Sequence, residues 1–181
     1  MEIIIMSSNE QNNTLYPAPV PKTGQTTSYD DKKRDDGELQ KGVAWANQRF
    51  TDNQNGTVTD KLTGLIWLKK ANAFDQKTWE TALSDCNELK DRDHGLTDGS
   101  KAGQWRLPNV RELCSLIDYG RDNPALPEDH PFDNVQPFHY WSSSTYSYNT
   151  TFGWVVYLYD GSVDDDAKSL DYYVWPVRGG Q

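Results

Sequence analysis

Phe152-Gly153-Trp154-Val155-Val156-Tyr157-Leu158-Tyr159, turning at Asp160-Gly161, is the stretch on which the fold turns. Eight residues rich in aromatic and β-branched side chains, closed by Asp-Gly, read as a strand running into a tight turn. Period two puts Trp154, Val156 and Leu158 on a core face and Val155, Tyr157 and Tyr159 on the opposite one. His139-Tyr140-Trp141-Ser142-Ser143-Ser144-Thr145-Tyr146 reads as the strand before it. Tyr172-Tyr173-Val174-Trp175-Pro176-Val177-Arg178 reads as the last strand. Upstream, Phe50-Thr51-Asp52 and Val58-Thr59-Asp60 flank Asn55-Gly56, a hairpin signal, and Leu65-Ile66-Trp67-Leu68 makes a short buried strand.

Between these β regions the periodicity changes. Thr78 can cap a helix over 79–89 whose Trp79, Ala82, Leu83, Cys86 and Leu89 share one face. A second helix is predicted over Pro108–Asp118, with Val110, Leu113, Cys114 and Ile117 facing inward. Both cysteines then sit on inward stripes, and a reduced core role is expected, with a single bridge as the alternative. Two helices followed by an antiparallel β finish give an α+β domain.

Composition bounds the function. The 181 residues include seven Trp, ten Tyr and five Phe, enough aromatic area for a compact core despite only 35% apolar content. The 27 acidic and 18 basic residues leave a net charge of -9, which argues against a nucleic-acid partner. No apolar run approaches the ~20 residues of a membrane span, so no membrane insertion is expected. Met1-Glu2-Ile3-Ile4-Ile5-Met6 is too short for a signal peptide. Synthesis in the cytoplasm without a signal is therefore the expectation, with a virion or a cell surface as the eventual site. Residues 1–40 offer no periodic apolar face and read as an extended or flexible tail, or one laid along the surface, with the domain spanning 41–181.

Several motifs resemble a known family. Asn55-Gly56-Thr57-Val58-Thr59-Asp60, Leu62-Thr63-Gly64-Leu65-Ile66-Trp67, Trp105-Arg106-Leu107-Pro108-Asn109, Tyr140-Trp141-Ser142-Ser143 and Val177-Arg178-Gly179-Gly180 occur in this order in the collagen-like-adhesin (Lcl) C-terminal domain family. Pro21-Lys22-Thr23-Gly24-Gln25-Thr26 is similar to its leader region. The resemblance covers residue 40 to the end. It implies a C-type-lectin-like fold of the formylglycine-generating-enzyme subclass and a role in ligand binding on bacterial surfaces or phages. Two departures stand out: Pro176 replaces a cysteine that many relatives carry, and Ala73 and His94 stand where relatives often have cysteines. The usual bridge from the first helix to the last strand cannot then form through Cys86, which suits maturation in a reducing cytoplasm.

The same scaffold serves as the variable protein of diversity-generating retroelements, which enrich Tyr, Ser, Asp, Thr and Phe near the carboxyl end. Residues 142–173 are crowded with these types, which also suit a general binding surface. The expected ligand-binding residues are Tyr148, Asn149, Thr150, Thr151, Phe152, Tyr157, Tyr159, Asp160, Ser162, Asp164, Asp165, Leu170 and Asp171. The partner would be a protein or a carbohydrate on a target cell.

Rival chemistry is weaker. Cys114 with His139 could form a thiol–imidazole pair, but a formylglycine-generating-type enzyme needs accessible cysteines. His94, His130 and His139 lack zinc spacing. Asp52–Gly56 is better read as a turn than a calcium loop, and Asp164-Asp165-Asp166 as a solvated loop. No metal or other cofactor is expected, and Arg106 and Arg178 are read as structural, with Glu112 and Asp118 as a solvated face or as partners for Arg106 and Arg111. Trp67, Trp105, Trp141, Trp154 and Trp175 are read as core. A structural or oligomerisation module is the remaining alternative.

Overall fold

The structure, a computed structural model, describes residues 20–179. The readings of Met1–Met6, of the tail as far as residue 19 and of Gly180 lie outside the described residues.

The chain is α+β. In order it forms α1 (Asp36–Leu39), β1 (Phe50–Asp52), β2 (Thr57–Asp60), β3 (Ile66–Leu68), β4 (Gln76–Lys77), α2 (Trp79–Glu88), α3 (Val110–Cys114), β5 (His139–Thr145), β6 (Phe152–Tyr157), β7 (Ser162–Ala167), β8 (Tyr172–Tyr173) and β9 (Val177–Arg178). One sheet has the order β1-β2-β3-β9 and the other β4-β8-β5-β6-β7. The larger sheet is mixed, because β8 runs parallel to β5 while its other pairings are antiparallel.

The first hairpin pairs Phe50 with Asp60 and Asp52 with Val58. Its connection is longer than a two-residue Asn-Gly turn. Gln54 and Gly56 take left-handed backbone (φ 59° and 83°), while the Asn55 carboxamide accepts from the Thr57 N–H and hydroxyl. A Cβ at Gly56 would lie 2.6 Å from the Gly95 carbonyl, so only glycine fits.

The second helix is shorter than predicted. Asn109 accepts from the Arg111 and Glu112 N–H groups, and Glu112 reaches back to the Asn109 N–H, so Pro108 falls outside a capping box. After Cys114 the bonds tighten to i→i+3, from Leu116 to Leu113 and from Ile117 to Cys114, and the helix ends. Leu113 and Ile117 are buried, but Cys114 is only half-buried, which corrects its reading as a core residue. Both cysteines are free thiols.

Three further corrections concern the β finish. Strict alternation in β6 fails: Val155, Val156 and Leu158 are all fully buried, while Trp154 is half-buried. The physical reason is that the sheet is covered on both faces. Val156 and Leu158 join the main core with Trp67, Trp105, Tyr140 and Trp175. Val155 joins a second cluster with Ala82 and Cys86 of α2, Leu107, Trp141 and Val174. The last strand is split, because β8 and β9 belong to different sheets and Val174–Pro176 crosses between them. Trp175 anchors that crossing in the main core and donates from Nε1 to the Leu68 carbonyl at 2.9 Å. Finally, Asp164-Asp165-Asp166 lies in β7, a full edge strand rather than a loop.

One long-range tie was not foreseen. Arg49 and Asp60 form a buried bidentate pair at 2.9 and 2.8 Å, and the same guanidinium donates to the Ser115 carbonyl at 2.5 Å. This fastens the smaller sheet to the end of α3. Residues 20–24 run against the body of the chain: Val43 N–H donates to Val20 O at 2.8 Å and Tyr119 N–H to Thr23 O at 2.8 Å. Arg106 holds Glu112 through two 2.7 Å bonds and the Gly179 carbonyl at 3.0 Å, and Arg178 pairs with Asp98 at 3.0 Å. Asp118 pairs with Arg121 instead of Arg111.

Candidate ligand face

Register places the side chains of β5, β6 and β7. His139, Tyr157 and Ser162 lie in one transverse row, with Trp141, Val155 and Asp164 in the next. Both rows share a face, with Gly153 opposite Asp166 beyond them. Helix α2 covers part of this face. The Trp79 indole lies over Gly153 and donates from Nε1 to the Ser142 carbonyl at 2.8 Å, and Lys168 Nζ sits 3.7 Å above the indole.

Where α2 stops, a ladder of rings remains open. Tyr172 leans on His139 (centroids 5.0 Å), His139 stacks on Tyr157 (4.5 Å, 18°), and Tyr157 stacks on Tyr159 (5.8 Å, 20°). Phe138 packs edge-on against His139 at 5.1 Å and is exposed. Acidic groups rim the ladder. The Tyr172 hydroxyl donates to Asp166, Asp160 accepts from the Ser162 N–H at 2.9 Å, and Asp164 accepts from the Asp165 N–H at 2.8 Å.

The electrostatics follow from this packing. Partial burial pushes His139 below the usual histidine value, against the opposing pull of Asp166, Asp164 and Asp160. Burial, then Asp166, pushes the Tyr172 phenol up to about 12. The backbone bond from Ser162 holds Asp160 below the usual carboxylate range.

The structure divides the expected binding residues. Tyr157, Tyr159, Asp160, Ser162 and Asp164 gather at the ladder. Phe152 and Asp165 lie on the other face of the β6–β7 ribbon, in the parity of Trp154. There Trp154 meets Tyr146 edge-on at 5.2 Å, and Tyr146 approaches Tyr148 at 6.1 Å, leaving Tyr148 89% exposed. Asn149, Thr150 and Thr151 form the connecting turn, where Asn149 accepts from the Thr151 hydroxyl at 2.8 Å. Leu170 and Asp171 are exposed in the turn before β8.

Sequence reasoning missed Phe138, His139, Asp166 and Tyr172 at the ladder. The available signal was parity: in an antiparallel pair His139 falls opposite Tyr157 once the β5–β6 turn is placed. It also missed Tyr146 and Trp154 on the other face.

Other chemistry is sparse. Cys114 lines a cleft together with Pro21, Trp45 and Tyr119, whereas His139 sits among Phe138, Tyr157 and Tyr172. Burial pushes the thiols of Cys86 and Cys114 above the usual range, which disfavours thiolate. Among the described residues no three His, Cys, Asp or Glu side chains group to hold a metal ion. No helix of the described residues is long and apolar enough to cross a membrane.

No curated protein matches the chain significantly. The family model for the Lcl C-terminal domain matches residues 56–178, from the first hairpin turn through β9 and including the whole ladder. The chain belongs to the Lcl C-terminal domain family.

Proposed function

We propose that this chain is a non-enzymatic, adhesin-like binding module, carried on a virion or a cell surface, that displays the open end of its larger sheet to a ligand on a target cell. One observation carries the reading. A row of four rings, Tyr172 of β8, His139 of β5, Tyr157 at the end of β6 and Tyr159 just beyond it, lies beside α2 with the first three half-buried and Tyr159 exposed, and tyrosine-rich surfaces of this kind supply rigid contact area at low entropic cost. Membership in the Lcl C-terminal family supports an adhesin-like role, and the resemblance to C-type-lectin-like scaffolds points the same way. Cys86 is fully buried, and burial raises both thiols above the usual range, which favours binding over formylglycine-type chemistry. The wealth of Tyr, Ser, Asp and Thr over residues 142–173 fits a surface diversified by a retroelement. A reverse-transcriptase gene with an imperfect repeat beside this gene would support that finer reading, and their absence would remove it.

The test is labelling of intact bacterial and animal cells by the fluorescently tagged full chain, read by flow cytometry. Tyr157→Ala combined with Tyr159→Ala should abolish labelling, while Tyr29→Ala, an exposed tyrosine outside the sheet, should leave it unchanged. Equal labelling by all three proteins would sink the proposal.

A further inference from the structure

The rings of the ladder use their faces on one another. Tyr157 is stacked between His139 and Tyr159, and His139 lies between Tyr157 and a tilted Tyr172. What they leave for a partner is their rims and phenol oxygens. The Tyr157 and Tyr159 hydroxyls have no hydrogen-bond partner among the described residues, and Tyr172 already gives its proton to Asp166. A sugar ring that stacks on aromatics needs a free ring face, and both faces of Tyr157, at the centre of the ladder, are taken by His139 and Tyr159.

Charge narrows the partner further. Residues 122–167 contain eight Asp or Glu and no Lys or Arg. Glu128 and Asp133 find Arg121 and Lys69, but Asp160, Asp164, Asp165 and Asp166 form no ion pair among the described residues. Lys168, the next cation, is turned to Thr145 and Trp79.

The edge itself is closed to an added strand. The Asp165 and Ala167 N–H groups are taken by the carboxylates of Asp164 and Asp166, one way of blunting a sheet edge. A partner therefore docks on the face. The row of rings crosses β8, β5 and β6, whose spacing is about 4.8 Å per strand. Small ligands favour concave pockets, and a row of rings that spans three strands suits a protein surface better.

Resting on the ladder as the binding face, we infer that its partner is a protein surface rich in Lys and Arg. Their ammonium and guanidinium groups bond the free phenol oxygens and the Asp160, Asp164 and Asp166 carboxylates. Such a rim acts chiefly on association rate and salt dependence.

The experiment measures octalysine binding to the immobilised full chain by biolayer interferometry, with N-acetylated octalysine, chitosan oligomers and heparin as comparison probes. Replacing Asp160, Asp164 and Asp166 together by Asn should weaken octalysine binding at least tenfold. Asp31→Asn, Glu80→Gln and Asp122→Asn, which together remove the same charge elsewhere, should change it less than twofold. Tyr157→Phe with Tyr159→Phe keeps the rings and should weaken binding three- to tenfold, which guards against a ladder variant that misfolds. Equal losses in the two charge variants, preference for heparin or chitosan, or no octalysine binding would each overturn the inference. If cell labelling still depends on Tyr157 and Tyr159 in that event, the face stands and only its partner class is wrong. Loss of both results removes the face as well.

Discussion

Replacing Gly153 by Ala tests the double coverage of the larger sheet. Gly153 lies in β6 beneath the Trp79 indole, and a Cβ there would sit 3.1 Å from both Trp79 Cδ1 and Nε1 and 3.3 Å from Trp141 Cζ3. Those gaps are a few tenths of an ångström too small, and Trp141 is fully buried, so Trp79 must yield. Its movement strains the 2.8 Å bond to the Ser142 carbonyl and the Lys168 contact. Overpacking of this kind costs about 1–3 kcal/mol. Against it stands a gain of about 0.4–1 kcal/mol from stiffening the unfolded chain. The net expectation is destabilisation of about 1–2 kcal/mol, a fall in Tm of roughly 2–8 °C for a chain of this size. Urea unfolding followed by tryptophan fluorescence reads it, with an unchanged m-value showing that the unfolded state is not the cause. A stabilised Gly153→Ala variant would refute the packing of α2 on this face.

Three other outcomes follow from the same packing. Val155→Ala and Val156→Ala should each cost about 2–3 kcal/mol, from two lost methyl groups of about 0.8 kcal/mol each plus a cavity. A loss at Val156 alone in chemical denaturation would restore simple alternation. For pH, the folded-state value of His139 lies below its ordinary 6.5, so the unfolded chain binds the proton more readily. Stability should be full above about pH 6.5 and fall as the pH drops through that value. Half-buried His130, also depressed by burial, adds in the same direction. Converting Asp160, Asp164 and Asp166 to Asn should lower the His139 midpoint further in an NMR titration of its Cε1 proton, and a rise would contradict the assignment.

The parts of the fold legible in the sequence are those written locally. The hairpin at Asn55-Gly56, the helix after Thr78 and the Arg106–Glu112 pair each depend on residues within a few positions of one another. Trp67, Trp105, Trp141 and Trp175 were legible as core because their size leaves few alternatives, and all four are fully buried. Trp154 shows the limit of that rule: its indole caps the end of the core face, where it meets Tyr146 rather than a second layer. Trp154-Val155-Val156-Tyr157 carries no polar residue, and an unbroken apolar run cannot say which face is wet. Arg49 and Asp60 were invisible as a pair for another reason. Their burial is decided by Ser115, 66 residues from Arg49, where the end of α3 brings a carbonyl to the guanidinium.

The location of the candidate site follows from where α2 ends its coverage. Gly153 admits the Trp79 ring, and Val155 and Trp141 are sealed by Ala82, Cys86 and Val174. One row further along β6, the same face carries Tyr157, His139 and Tyr172, which cover each other because nothing larger covers them. Phe138 adds an edge rather than a lid, leaving the His139 ring half-buried. The chain thus spends small and aliphatic side chains where a helix lies against the sheet and hydroxyl-bearing rings where none does. The carboxylates follow the same boundary. Asp164 is exposed beside sealed Val155, and Asp166 is half-buried under the Tyr172 hydroxyl. A surface that needed only solubility could have carried its charge anywhere on the edge. Placing Asp160, Asp164 and Asp166 around the open rings, with cations kept off 46 consecutive residues, gives that one row a sign as well as a shape.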